Sequence, residues 1–235
     1  MPSRKHRLPQ LRWASPLGSQ RHNAIRKGLL SAGALSSLLY VVATDGVAAS
    51  MQDGYRRTQH MVSDLFAIGS PSHDILVSVM WLYTLLFIAF GAGVWNSVHG
   101  NRPLRVGGGL LVSYGFSNIL GGFYPLTLDD EASVPMHIVA TNIQLVLMIS
   151  AMCFVAVGFH GWMRVYSIAS LTVSTVMGVA AFMAAPGPSL LLGIGERISI
   201  GAFLLWVAVL AVALWNSPAA EGARPGLRAN LSSRA

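Results

Sequence analysis

The chain has 235 residues, 53% of them apolar and only 11% charged, against about 25% charged in an ordinary soluble domain. With a mean hydropathy of +0.55, that excludes the soluble class and points to a single membrane-embedded domain. The net charge of +7 does not mark a nucleic-acid binder: seven of the sixteen Lys and Arg fall in the first 27 residues and the rest flank apolar runs, so the charge reports topology.

Residues 1–27 read as a basic cytoplasmic tail without regular structure. A signal peptide would also place basic residues before an apolar run, here one ending near Val47-Ala48-Ala49. The basic region is too long for that reading, and five more apolar runs follow. Six runs are long enough to cross a bilayer, at about 28–48, 75–98, 106–126, 136–159, 164–185 and 192–215. Backbone groups inside lipid must pair within their own segment, so each run is expected to be a helix. The expected fold is all-α: a polytopic six-transmembrane-helix bundle over 28–216, followed by a cytoplasmic tail at 217–235. Residues 55–68 are expected to form an amphipathic helix on the interface between the first two spans. Its apolar stripe is Met61, Leu65 and Ile68, its polar stripe Arg57, His60 and Asp64, and Ser70-Pro71 is expected to open the second span.

Two runs carry small residues at helical spacing. The third has Gly107 to Gly109, Gly115, Gly121 and Gly122; the fifth has Ser167, Ser170, Ser174, Gly178, Ala181 and Ala185. In lipid such stripes let helix backbones approach closely, and both read as packing surfaces. Cys153 is the only cysteine, which excludes an intrachain disulfide and a Cys-based metal site; inside an apolar run it reads as a small core hydrophobe.

Alternating the six runs across a membrane puts thirteen Lys and Arg on one side and only Arg56, Arg57 and Arg197 on the other. The positive-inside rule then makes both termini cytoplasmic, in a plasma (bacterial inner) membrane. Trp95, Trp162 and Trp215 fall at cytoplasmic helix ends, as an aromatic belt requires. All acids except Glu221 fall on the outer side.

The candidate chemistry therefore collects at the outer face. Asp129, Asp130 and Glu131 precede the fourth span, where the helix dipole favours negative charge; taken singly, solvated loop residues are the plainer account of them. His137 begins a polar line with Thr141 and Gln144, at i, i+4 and i+7. A polar line within a span is expected to face other helices rather than lipid, and Tyr114 and Asn118 could line the same interior. Glu196 and Arg197 open the sixth span. Neighbouring helical residues point about 100° apart, so each needs a partner elsewhere; for Arg197 the expectation is Asp64 or an acid of 129–131. Asp45, at the outer end of the first span, could join the group or simply be wetted. His60 and Asp64 have a chelating spacing, with His137 as a possible third ligand, but no HExxH or HxxxH pattern is present and no metal or cofactor is assigned. There is no nucleophile elbow, P-loop or Rossmann fingerprint.

Four stretches together resemble the domain-of-unknown-function 998 family of bacterial integral membrane proteins: HMVSDLFAIGSPS at 60–72, GGFYP at 121–125, the histidine at 137, and GIGERISIGAFLLW at 193–206. The resemblance covers about residues 30–215. Its most specific parts are Ser63-Asp64-Leu65, where the family is associated with Ser-Glu-Leu, and Gly195-Glu196-Arg197. The link from Tyr124-Pro125 to His137 is shorter and more acidic than the family pattern. The resemblance implies six membrane helices and no particular activity.

Three functions compete. The first is an outer-leaflet enzyme acting on a lipid-like, isoprenoid-like or quinone-like amphiphile. It would use His137, Glu196, Asp64 and Asp129 as acid and base groups, and Arg197, His60, Gln144 and Asn118 to bind substrate. The second is a proton-coupled carrier, which the lack of any mid-membrane charge disfavours. The third is a non-catalytic partner within a membrane complex.

Overall fold

The computed structural model describes residues 16–217, apart from 99, 128–129 and 185–186. Its six long helices are α1 (Pro16–Val41), α2 (His73–Ser97), α3 (Arg102–Phe123), α4 (Val134–Gly158), α5 (Trp162–Met183) and α6 (Leu190–Asn216). α1 runs on through a π-helical segment, Val42–Ala48, and a last turn, Ala49–Met51. Among the described residues the extended structure is confined to isolated bridges, Ile68 with Thr127 and Thr127 with Asp130. Five helical stretches are long and apolar enough to cross a membrane: Gln20–Met51, His73–Ser97, Glu131–Gly158, Trp162–Met183 and Leu190–Asn216. α3 matches them in length, but six glycines, Arg102 and Arg105 dilute it, and it is not among the five.

The helices close a ring. Each packs on the next in chain order, and α6 returns to α1. Aromatic side chains fill the middle: Tyr83, Phe87, Tyr114, Phe203 and Trp206 form a run with ring centroids 4.8 to 6.0 Å apart. Trp206 is fully buried and satisfies its indole N–H on the Ser167 hydroxyl at 3.0 Å, as a buried indole must.

The small residues set the tightest contacts. A Cβ on Gly91 would lie 2.6 Å from the Val112 nitrogen, and one on Gly108 would lie 2.7 Å from the Trp95 nitrogen. The α2 and α3 backbones touch there, the approach that small residues permit in lipid. α5 meets α6 through a reciprocal pair: the Ser174 hydroxyl donates to the Ser199 carbonyl at 2.9 Å, and the Ser199 hydroxyl donates back to the Ser174 carbonyl at 2.7 Å.

One end of the ring is basic. α1 begins at Pro16, inside the stretch read from sequence as a tail, and the reason lies at Arg26. Its guanidinium is buried, only 3% exposed, and donates to the Leu214 carbonyl at 3.0 Å and the Ser217 carbonyl at 3.2 Å. It thereby satisfies carbonyls that the end of α6 leaves unpaired. Lys27 lies over Trp215, and the Arg105 guanidinium over Trp95. The described acids all lie toward the other end.

Three expectations are corrected. Residues 55–68 do not form an amphipathic helix; they run through turns, with one helical turn at Ser63–Phe66. Their polar groups are drawn into bonds with α1 and α6 and leave no continuous helical ladder. Ser70-Pro71 does not open α2, which starts at His73 with Ser72 at the capping position. The Ser72 hydroxyl instead donates to the Leu65 carbonyl at 2.9 Å, tying the preceding turn down. Cys153 is exposed on α4 rather than packed in the core.

Candidate functional site

At the acidic end, residues 52–72 fold over the ends of α1 and α6 as a cap, organised by Arg197. Its Nε donates to Asp45 Oδ1 at 2.9 Å, its Nη1 to the carbonyls of His60 (3.0 Å) and Gly193 (3.2 Å), and its Nη2 to the Tyr55 hydroxyl at 2.7 Å. The phenol passes the chain on, donating to the Met61 carbonyl at 2.8 Å. Four of the five guanidinium hydrogens are thus committed, two of them to the cap and one each to Asp45 beyond α1 and to Gly193 on α6. The expected pairing of Arg197 with Asp64 or the 129–131 acids is replaced, among the described residues, by an ion pair with Asp45.

Asp45 reaches Arg197 from the π-helical segment, whose one-residue excess per turn re-aims the residues beyond it. The Asp45 backbone carbonyl also accepts from Arg57, at 3.0 Å from Nε and 2.7 Å from Nη2. On the α6 side, Gly193 makes room for the cap: any Cβ there would strike the backbone between Thr58 and Gln59. The Gln59 carbonyl accepts from the Ser189 amide at 3.1 Å, just before α6 begins.

Two carboxylates face the same short backbone. The Val62 amide donates to Glu196 Oε2 at 2.7 Å, and the adjacent Met61 amide donates to Asp64 Oδ2 at 3.1 Å. Consecutive amides therefore hold the two acids side by side. Burial pushes the Asp64 carboxyl above its usual range, although the Met61 amide, His60 and Arg197 pull the other way. Burial likewise raises the Tyr55 phenol against the opposing effect of Arg197. His60 stacks on the Tyr55 ring, centroids 5.4 Å apart, and its Nδ1 accepts from the Arg56 amide at 2.9 Å.

The other expected residues form a second group, between α3 and α4. His137 Nδ1 lies 3.3 Å from the Tyr124 carbonyl, and Gln144 Nε2 donates to the Ser117 carbonyl at 3.3 Å. The Asn118 amide nitrogen is buried without a hydrogen-bond partner. Thr141 is exposed and bonds back to the His137 carbonyl at 2.9 Å, so the polar line meets α3 at its two ends and turns outward between them. Tyr114 belongs to the central aromatic run. The two groups share a seam, because the Ile68 amide donates to the Leu126 carbonyl at 2.8 Å beside the Ile68–Thr127 bridge. Asp129 lies outside the described residues; Asp130 and Glu131 are exposed, and the Asp130 side chain caps the next turn, accepting from the Ala132 amide at 3.0 Å.

Among the described residues no three His, Cys, Asp or Glu side chains converge as metal ligands. His60 and Asp64 do not share a helix face, because the helix joining them is absent. Sequence reasoning passed over Tyr55 and Gly193 and left Asp45 undecided. Asp45 had a usable signal: it is the lone acid of the first apolar run, and such groups usually have a partner.

A ring of long apolar helices with a polar cap at one end defines a polytopic, all-helical membrane protein. The chain belongs to the family described as Protein of unknown function (DUF998), whose family model matches residues 34–213. No curated protein and no solved structure matches it.

Proposed function

We propose that this protein is a membrane-embedded enzyme acting on a lipid-like or isoprenoid-like amphiphile at the acidic end of the ring. In this reading all six long helices cross the plasma membrane, both termini are cytoplasmic, and the cap faces outward. The observation that carries it is the pair of carboxylates, Asp64 and Glu196, held on consecutive amides at the edge of the apolar zone. Two acids in one partly buried place separate in proton affinity, and such a pair can divide the acid and base roles. Glu196 is the acid of the proposal and His137, across the seam, its base; Asp64 tunes Glu196, and Asp129 is an auxiliary acid. Arg197 positions the cap and keeps one Nη2 hydrogen, without a partner among the described residues, for a substrate oxyanion. His60, Gln144 and Asn118 line the approach.

Two features favour an enzyme over the alternatives. The aromatic run fills the bundle centre, where a carrier would hold its cargo. Most of the small residues are consumed within the ring, by α2 on α3 and α5 on α6, rather than left for a partner protein.

The test uses the full chain in vesicles of phosphatidylethanolamine, phosphatidylglycerol and a polyprenyl phosphate, with products read by lipid mass spectrometry. Turnover is expected from the native chain, with a drop of about 100-fold or more in Glu196→Gln, the usual scale of lost acid–base catalysis. Equal turnover in folded Glu196→Gln and Asp64→Asn proteins, or none in the native chain, overturns the reading.

A further inference from the structure

At the basic end, opposite the cap, a groove of about 620 Å³ opens where the α4–α5 link and the start of α5 meet the end of α6. Its walls are mostly apolar, from Phe159 and Met163 on one side to Val209 and Val212 on the other. Val212 is a groove wall and yet well exposed, so the groove opens sideways as well as toward the helix ends. The polar lining is grouped: His160 on the link, Asn216 and Ser217 at the end of α6. The surroundings are cationic. Exposed Arg164 follows Met163 by one residue, buried Arg26 bonds the Ser217 carbonyl, and Lys27 lies over Trp215 beside Asn216. The described acids lie toward the far end of the bundle and leave this charge uncompensated.

An apolar slot with a cationic polar mouth at a helix end matches one bilayer molecule in both parts. We propose that the groove is a binding site for an anionic phospholipid. An acyl chain lies along Val209 and Val212, and the phosphate meets His160, Arg164 and the Asn216 amide. Basic pockets between membrane helices take anionic headgroups in this way, by charge attraction added to chain burial. A zwitterionic lipid would fill the slot equally well, but its ammonium group offsets the attraction of its phosphate to the cationic mouth. The site is separate from the proposed catalytic end and does not depend on that reading.

The experiment takes the full-length protein in mild detergent, adds phosphatidylglycerol or phosphatidylcholine of matched chains, and reads retained lipid by native mass spectrometry and the shift in Tm. Phosphatidylglycerol is expected to be retained in preference and to raise Tm. Arg164→Gln is expected to weaken its retention about fivefold, the loss for one cation near the headgroup, and to leave phosphatidylcholine unchanged. Val212→Trp, which fills the slot without touching the charge, is expected to abolish both the retention and the Tm shift. Should Val212→Trp not fold, Val209→Phe makes the same obstruction on the neighbouring position. Equal retention of the two lipids overturns the headgroup assignment, and undiminished phosphatidylglycerol binding in the folded groove-filled variant overturns the site.

Discussion

At the residue scale, Arg197 ties together α1, the cap and α6 while it is itself half-buried. Asp45→Asn keeps the shape of the side chain and removes its charge, which costs about 2 kcal/mol for a charge-assisted bond of this kind. A lower Tm in detergent is therefore expected, together with weaker salt sensitivity; an unchanged Tm would show the pair to be idle. Asp64 gives a pH signature. Its carboxyl is raised by burial, so the folded state binds that proton more tightly than the unfolded chain does. Its stabilising contribution is complete below the ordinary carboxyl range and is lost as pH rises through the folded value. Asp64→Asn should flatten the fall in Tm across that window, and a parallel pH curve would rule the contribution out. The sequence made Glu196, Arg197 and Asp64 visible, because ionisable groups at the rim of apolar runs are rare. It hid their partners. The Arg197–Asp45 bond spans 152 positions and depends on the phase of a π-helical segment, which no spacing rule reports.

At the element scale, hydrophobic run length placed five of the six long helices to within a few residues and missed the start of α1, which begins at Pro16 rather than near 28. It failed at 55–68, where i, i+4, i+7 spacing suggested a helix. That spacing describes a chain left to itself, whereas Thr58 and Gln59 are pressed on Gly193 and the His60 carbonyl is claimed by Arg197. Gly193→Ala is expected to lift the cap. Trypsin cleavage after Arg56 and Arg57 should then quicken about tenfold, if the opening free energy falls by about 1.4 kcal/mol. Resistance equal to that of the native chain would mean the cap stands without this contact. The glycines of α2 and α3 make a matching case. Gly108→Val places a branched side chain against the Trp95 backbone, and overpacking of this kind costs about 1–3 kcal/mol. The same change at Gly122, which has open space around its Cβ position, is expected to leave Tm nearly unchanged.

For the whole molecule, charge asymmetry was legible without any structure: the basic helix ends and the acidic ends separate cleanly along the chain. Ring closure was not, because nothing in the local sequence says that α6 returns to α1. Arg26 shows how it does so, by reaching 188 and 191 positions onward to carbonyls of Leu214 and Ser217. The proposed sidedness can be tested by thiol labelling in intact cells. In a Cys153→Ser background, Asp53→Cys is expected to react with a membrane-impermeant maleimide, and Arg102→Cys only after permeabilisation. The reverse pattern would turn the cap inward and remove the outer-leaflet substrate.

The π-helical stretch at Val42–Ala48 has a consequence for length rather than strength. It stores one surplus residue, so α1 can lose a single amino acid there and relax into a regular helix still long enough to span. Such a deletion, made just ahead of Asp45, would leave the turns on either side in place but shift Asp45 by one helical position, about 100° around the axis, and swing it off its target. α1 would keep its seat among its neighbours while the acidic lid lost its hinge post, which separates by one codon the part of the chain that holds the membrane from the part that shapes its mouth.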